Sequence, residues 1–430
     1  MDILLLILGL VILTLLALKG VPIIVAALVT SLFVLITSGM DIYSGFLSTF
    51  MPGFAGYVTK YFLIFIFGSL FGKVCEVSGA TDSIAQGVIN KFGQKYAMTG
   101  LIVAAGILGF GGVSLFVALF ALYPLAMSLF ERGDIPRRLF PGGYIAGAAT
   151  FAMTSPFSPA VQNIIPTSYL GTTVSACAVP GSIAAVFMAV AVIVYMNAQV
   201  KRCAQRGEHF EPLEGENFKV RAKGEMPSVI VSLLPMVILI VALNVFKLKI
   251  EVSLLVGILS GIVFYFKYLP KNVKEIWKHI NTANSDGIMA IINTSATVGF
   301  GTVIAATPAF GNAITALTGL GGNPLISAGI AVTALAGIAG SASGGLGIAV
   351  PIVAKYYLPL GVNPEALHRV AAVASGGLDS LPHNGFVVTC LNYSKTNHHD
   401  AYIHIFVVSV LMPLAELALL LVLLKVFGYM

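Results

Sequence analysis

The sequence predicts an all-α polytopic membrane protein built from two inverted-topology repeats, each with a re-entrant helical hairpin and a discontinuous helix. Three observations carry that prediction. Apolar stretches of about 17 to 25 residues, each long enough to cross a hydrocarbon core roughly 30 Å thick, recur along the chain. Two further apolar runs are about twice as long as one crossing needs and are interrupted midway by glycine. Basic residues collect in a few polar segments between the runs, the pattern that the positive-inside bias produces.

Composition closes off the soluble alternatives. The chain has 430 residues, 57% hydrophobic and 10% charged, with 45 glycines and a mean hydropathy of +0.94, more apolar surface than a soluble fold can hide. The formal charge of +6 does not indicate a nucleic-acid partner, because the basic residues lie in loops. Lys201, Arg202, Arg206, Lys219, Arg221 and Lys223 fall in the longest polar segment, and Lys267, Lys271, Lys274 and Lys278 in the next. Cys75, Cys177, Cys203 and Cys390 show no Cys-x-x-Cys spacing and read as packing residues, not as a zinc site or a disulfide framework. Apolar residues begin at Ile3 with no basic n-region and no small-residue cleavage site, so the first helix is expected to be retained.

Taken in order, spans are expected at about 3 to 18, 21 to 38 and 57 to 77, followed by a polar, basic stretch ending at Lys91 and Lys95. The run at about 97–131 is interrupted at Gly109-Phe110-Gly111-Gly112 and closes on Glu131-Arg132-Gly133-Asp134-Ile135-Pro136-Arg137-Arg138. Basic residues bracket both of its ends, so it reads as a hairpin that enters and leaves on one side. The next helix, at about 139–178, is broken at Thr154-Ser155-Pro156-Phe157-Ser158-Pro159, because two prolines so close remove backbone donors and clash with the preceding turn. A span at about 180 to 200 completes the first repeat, 1–200, and 201–226 is a cytoplasmic linker. The second repeat, 227–430, runs in the same order. It has spans at about 227 to 246, 250 to 268 and 287 to 306, and a hairpin at about 325–360 centred on Gly340-Ser341-Ala342-Ser343-Gly344-Gly345. A helix at about 367–398, broken at Leu378-Asp379-Ser380-Leu381-Pro382-His383-Asn384-Gly385, and a span at about 401 to 425 complete it. Ile135-Pro136 and Asn363-Pro364 precede the broken helix in the two halves. Placing both basic loops in the cytoplasm requires an odd number of crossings per half, which inverts one half relative to the other, as in many secondary transporters.

Non-helical backbone at membrane depth is tolerated only where it is buried in protein or lines a wet cavity, so four such breaks point to a cavity. Half-helix N-termini attract carboxylates, while freed carbonyls can hold a cation. The candidate substrate-binding residues at the breaks are Ser114, Thr154, Ser155, Ser158, Gln162, Asn163, Ser341, Ser343, Ser380, His383 and Asn384. No arginine clamp is evident among them, which favours a monocarboxylate or hydroxy acid over a tricarboxylate. Small residues at hairpin tips also let helices approach closely, and the Gly143/Gly147 and Gly257/Gly261 pairs read as packing alone. Asp379 and His383 flank the second break at a spacing of four, where a carboxylate near an imidazole could exchange a proton during the cycle. Capping by Asp379 and satisfaction of a freed carbonyl by His383 stand beside that role. Lys73 and Glu76 are expected to form a local ion pair, Asp82 and Asp286 to lie near helix ends, and Lys395, His398 and His399 to form a solvated turn. The chain has no phosphate-binding loop, no His-Glu-x-x-His, no Gly-x-Ser-x-Gly and no metal site, which argues against an enzyme and against an ATP-driven pump.

Through Phe110-Gly111-Gly112-Val113-Ser114 to Pro124, Thr154 to Pro159, Gly340-Ser341-Ala342-Ser343 to Pro351, and Pro382-His383-Asn384-Gly385-Phe386, the sequence resembles the gluconate permease (GntP) family of the ion transporter superfamily over essentially its whole length. The resemblance implies a multi-pass, bacterial inner-membrane, proton-coupled symporter for sugar acids or related hydroxy acids. It also implies a homodimer in which a mobile transport domain moves against a scaffold, with no cofactor beyond the coupling ion. Gluconate-type members look richer in His and Pro at the first break and carry Asn-Asp-Pro-Gly near the second, where this chain has Pro382-His383-Asn384-Gly385. A smaller hydroxy acid such as 3-hydroxybutyrate is therefore the expected cargo. Sodium coupling near Ser341, Ser343 and Ser380 stands as the alternative to protons through Asp379 and His383. A passive anion channel is the remaining reading, although a channel gains nothing from two hairpins with paired breaks.

Overall fold

The computed structural model describes residues 8–9, 11–13, 15–16, 19, 21–93, 96–113, 115–213, 221–310, 312, 323–382 and 384–430, and every regular element among them is helical. The span expected at 3 to 18 falls largely outside these residues, and so do the candidate site residues Ser114 and His383.

Helix α1, Ile23–Thr37, matches the second expected span. Helix α2, Ile42–Val77, begins well before the expected residue 57. Its first turns are diluted by Ser, Thr, Gly and Pro, so hydropathy alone misses them. The Asp41 side chain caps the start by accepting from Ser44 N at 2.7 Å, and a π-helical turn at Gly45–Phe50 lets Pro52 follow where the bonding pattern already changes. The stretch before Lys91, read as merely polar, is an amphipathic helix α3, Ala80–Phe92, that buries Ile84, Ala85 and Ile89.

Helices α4, Ala97–Phe110, and α5, Leu115–Gly133, form the first hairpin. Gly112 adopts a φ of +85°, and Val113 N donates to Leu108 O at 3.0 Å, closing the end of α4. Beyond it the chain is more fragmented than a single break. Helix α6, Phe140–Ala148, is followed by the single turns α7, Phe151–Thr154, α8, Val161–Ile164, and α9, Thr167–Leu170. Pro156, Pro159 and Pro166 divide these turns, because each lacks a donor for the next one. Helix α10, Ala178–Gln205, then forms a long span.

Helices α11, Val229–Asn244, and α12, Ile250–Phe264, precede α13, Val273–Ala305, which starts well before the expected residue 287. Asn272 caps α13 by accepting from Lys274 N at 2.9 Å. Lys274 and Lys278 therefore lie in its first turns and not in a loop, and Asp286 lies in the body of the helix and not near an end. Helices α14, Pro324–Ala339, and α15, Ala342–Tyr357, meet at a tight turn through Gly340, φ +55°, and Ser341. Helix α16, Pro364–Ser375, is separated from α17, Gly385–Tyr393, by a non-helical segment, and α18 runs from His398 to Val426. His398 and His399 thus open a helix; both are exposed.

Two packing groups organise these elements. The long helices α2 and α13 lie against one another, flanked by α1 and α12, with α11 on α12. In the other group α4 packs on α6, α14 on α15 and α16, and α10 on α18. Close glycine contacts hold the helices together. Gly147 of α6 abuts the Ile102 carbonyl and Ala105 of α4, and Gly143 faces Met98. Gly257 meets Leu239 and Phe71, while Gly261 meets Val74, so both GxxxG pairs are packing surfaces. All four cysteines are free and buried. Lys73 and Glu76 form the expected ion pair at 2.8 Å.

Candidate functional site

The four chain breaks lie next to one another. A Cβ placed on Gly112, at the tip of the first hairpin, would sit 3.4 Å from Pro159 Cγ in the first broken segment. One placed on Gly376, where the second broken segment begins, would sit 3.9 Å from Thr154 Cγ2. Asn384 then joins the second broken segment to the tip of the second hairpin, donating from Nδ2 to Gly340 O at 3.0 Å and to Asp379 O at 2.8 Å.

The centre of the first break is held by a residue from far along the chain. Arg369 of α16 is fully buried. Its Nε donates to Ala176 O at 3.0 Å, Nη1 to Thr154 O at 2.6 Å and to Asn163 Oδ1 at 2.9 Å, and Nη2 to Val174 O at 2.9 Å. Prolines and single turns leave these carbonyls without helical partners, and a planar cation with five N–H donors can satisfy several of them at once. Asn163 completes the network, donating from Nδ2 to Ser158 O at 2.9 Å, Val174 O at 3.0 Å and Ser155 O at 3.3 Å. Because Asn163 Oδ1 can only accept, His368 Nε2 carries the proton of their 3.1 Å contact, which leaves Nδ1 to accept from Thr172 Oγ1 at 2.7 Å. Glu416 of α18 is buried too, and among the described residues it forms no ion pair with Arg369.

An arginine clamp does exist, contrary to the expectation from the break residues alone, but it grips the protein's own backbone. Its donors are spent on carbonyls, so it has little left for a ligand. The signal for it in the sequence is His368-Arg369 inside the Ala- and Val-rich helix that follows Asn363-Pro364.

The remaining side chains at the first break divide by partner. Ser158 Oγ donates to Ala152 O at 2.9 Å, and Thr154 Oγ1 makes a long contact of 3.4 Å to Thr150 O. Ser155 Oγ is buried with no hydrogen-bond partner among the described residues. Gln162 is half-buried. Phe157 holds a φ of +69°, uncommon for a bulky residue, with its N donating to Val174 O at 3.1 Å and its carbonyl accepting from Asn244 Nδ2 at 3.1 Å.

At the second break Asp379 is only 6% exposed, and its Oδ1 accepts from Ser380 Oγ at 2.8 Å. No basic side chain among the described residues forms an ion pair with it. Tyr402 OH donates to Ser380 O at 3.2 Å. Asn384 Oδ1 accepts from Phe386 N at 2.7 Å and Val387 N at 2.9 Å. Ser341 Oγ accepts from Gly344 N at 3.2 Å and lies 3.2 Å from Ser343 Oγ. The N-termini of α15 and α17, expected to draw a carboxylate, are thus already capped by Ser341 and Asn384. His398 Nε2 contacts Pro382 O at 3.0 Å.

A separate cluster closes the loop end of the first hairpin. Asp134 accepts from His209 Nδ1 at 2.6 Å and from Phe210 N at 2.9 Å, and these bonds, that from His209 foremost, hold its carboxyl below the usual range. Arg138 Nε donates to Glu208 Oε2 at 2.9 Å, and that bond lowers the Glu208 carboxyl likewise.

Four helices among the described residues are long and apolar enough to cross a membrane, and with adjoining breaks between helices they define a polytopic membrane transporter. A family profile described as "GntP family permease" matches residues 1–253. An "Uncharacterized transporter YxjC" of Bacillus subtilis (strain 168) is 31% identical across 98% of this chain and 98% of its own length. The chain belongs to the GntP permease family, and its relatives are transporters, not enzymes. Across a shorter stretch, 31% of this chain and 30% of the relative, it is 31% identical to a "High-affinity gluconate transporter" of Escherichia coli (strain K12). In fold it is similar to the Alcanivorax borkumensis YdaH transporter, with a TM-score of 0.65 at 15% identity over 88% of each chain.

Proposed function

We propose that this permease carries a small hydroxy-monocarboxylate such as 3-hydroxybutyrate, or a sugar acid, into the cell across the bacterial inner membrane, coupled to protons. The observation that carries the reading is the convergence of four chain breaks, lined by neutral hydroxyls and one buried carboxyl, inside a transporter fold. Two halves, 1–200 and 227–430, joined by a cytoplasmic linker at 201–226, have opposite orientation. Each contributes one re-entrant hairpin and one broken helix, and the chain works as a homodimer. Alternating access then moves the broken segments and hairpins against α2 and α13.

Asp379 is the coupling residue. A buried carboxylate with one hydroxyl partner and no basic partner among the described residues calls for neutralisation by a mobile cation. A proton supplies this with the least rearrangement, and His383 adjoins it in sequence as the relay. The serines Ser341, Ser343 and Ser380 support the sodium alternative, because the first two already bring their hydroxyl oxygens within 3.2 Å of one another. The test is uptake of radiolabelled 3-hydroxybutyrate into proteoliposomes under an imposed pH gradient, with and without sodium, for wild type and Asp379→Asn. Accumulation that requires the pH gradient and is lost in the variant supports proton symport. Accumulation that follows sodium and survives the substitution moves the chain to the sodium reading. Equilibration without accumulation makes it a passive channel.

A further inference from the structure

Lys60 lies at the midpoint of α2, about 26 Å from either end at 1.5 Å per residue. Exposed apolar side chains flank it on the same helix, Leu47 and Met51 on one side and Phe62 and Leu63 on the other, as expected of a surface that meets lipid. A cation on an otherwise apolar stretch of helix is costly and needs a reason to be there.

Its neighbours supply no counter-charge. Lys60 Nζ sits 3.3 Å from the centroid of the Tyr169 ring and 5.7 Å from that of Tyr61, and makes one long contact of 3.5 Å to Ser168 O. Among the described residues no carboxylate pairs with it. Lys73 has Glu76, and Arg369 is saturated by backbone carbonyls. Next to it the Tyr57 and Tyr61 rings lie 4.6 Å apart between centroids, tilted by 48°, and the Tyr57 hydroxyl is buried without a hydrogen-bond partner among the described residues. These groups adjoin elements of the site. Tyr169 belongs to α9, which follows the first break and packs on α15 and α16, and the Tyr57 ring lies against Gly347 in the second turn of α15.

We propose that Lys60 is the cation that pairs with the substrate's carboxylate, with the Tyr57 hydroxyl as a neighbouring donor to the same anion. The proposal rests on the functional reading above and completes its charge balance, because the helix N-termini that would otherwise attract an anion are capped by Ser341 and Asn384. An aromatic wall of Tyr61 and Tyr169 holds the ammonium in place without neutralising it. The anion would then bridge the long helix α2 and the broken segments.

The experiment is concentration-dependent uptake of 3-hydroxybutyrate into proteoliposomes by wild type, Lys60→Gln, Lys60→Met and Lys60→Arg, with 3-hydroxybutyramide as an uncharged competitor. Loss of one carboxylate–ammonium contact should raise KM at least tenfold in both neutral variants, leave kcat within about threefold, and be largely reversed in Lys60→Arg. The neutral variants should also lose their preference for the acid over the amide. Unchanged KM and unchanged preference would overturn the proposal. Failure of both neutral variants to fold would make Lys60 a structural cation and overturn it too. If wild type takes up neither 3-hydroxybutyrate, lactate nor gluconate, the functional reading itself falls and this inference with it.

Discussion

Replacing Arg369 with glutamine should destabilise the protein while leaving its helical content in place. The guanidinium makes four hydrogen bonds, three to backbone carbonyls and one to Asn163, all to fully buried groups or to chain that no helix satisfies. Glutamine keeps two donors on a shorter stem, so at least two of the four acceptors lose a donor. A buried acceptor that loses its charged donor costs about 1–3 kcal/mol, because it cannot be rehydrated, so the whole change costs about 3–5 kcal/mol. With an unfolding entropy near 2.1 cal/mol/K per residue, that corresponds to a fall of about 3–6 °C in the midpoint for a chain of 430 residues. The four buried free cysteines make a thiol-reactive fluorogenic dye a direct reporter of opening in detergent. Arg369→Lys should fall between the two, since it keeps the charge but cannot reach several carbonyls in one plane. A midpoint for Arg369→Gln within 1 °C of wild type would refute the claim that this arginine holds the first break together.

Three other outcomes follow from the same geometry. Gly147→Val should disrupt the α4–α6 contact by about 1–3 kcal/mol or more, because its Cβ would press on the Ile102 carbonyl, whereas Gly56→Ala, with nothing within 4 Å, should be neutral or mildly stabilising in the same dye assay. Asn384→Ala removes the cap of α17 and the donor to Gly340 O and Asp379 O, and should cost about 1–2 kcal/mol, with faster hydrogen exchange at Phe386 and Val387. The loop at 206–213 should be pH-sensitive on the acid side. Asp134 and Glu208 both titrate below their ordinary values in the folded protein, so their contribution is present above about pH 4 and is lost as pH falls through the lowered values. Limited proteolysis of this loop should be slow at pH 7 and accelerate below about pH 4 in wild type, and Glu208→Gln should be cleaved faster already at pH 7.

What the sequence determined by itself is what local signals carry. Hydropathy established a helical membrane protein, and Gly112 and Gly340 marked two turns between consecutive helices, because glycine takes a positive φ without steric cost. Prolines at Pro156 and Pro159 located the first break, and the quoted segments were enough to place the family. Helix starts were less legible: α2 and α13 both begin earlier than hydropathy allows, since capping by Asp41 and Asn272, not apolarity, marks their first turns. The tertiary structure alone decided which groups satisfy the breaks. Arg369 reaches carbonyls 193 to 215 positions away in sequence, and Lys60 finds its aromatic wall on a turn that follows the first break. No window of sequence registers such contacts, because a buried polar group is satisfied by whatever the fold brings within 3 Å of it, and that is fixed only when the helices have packed.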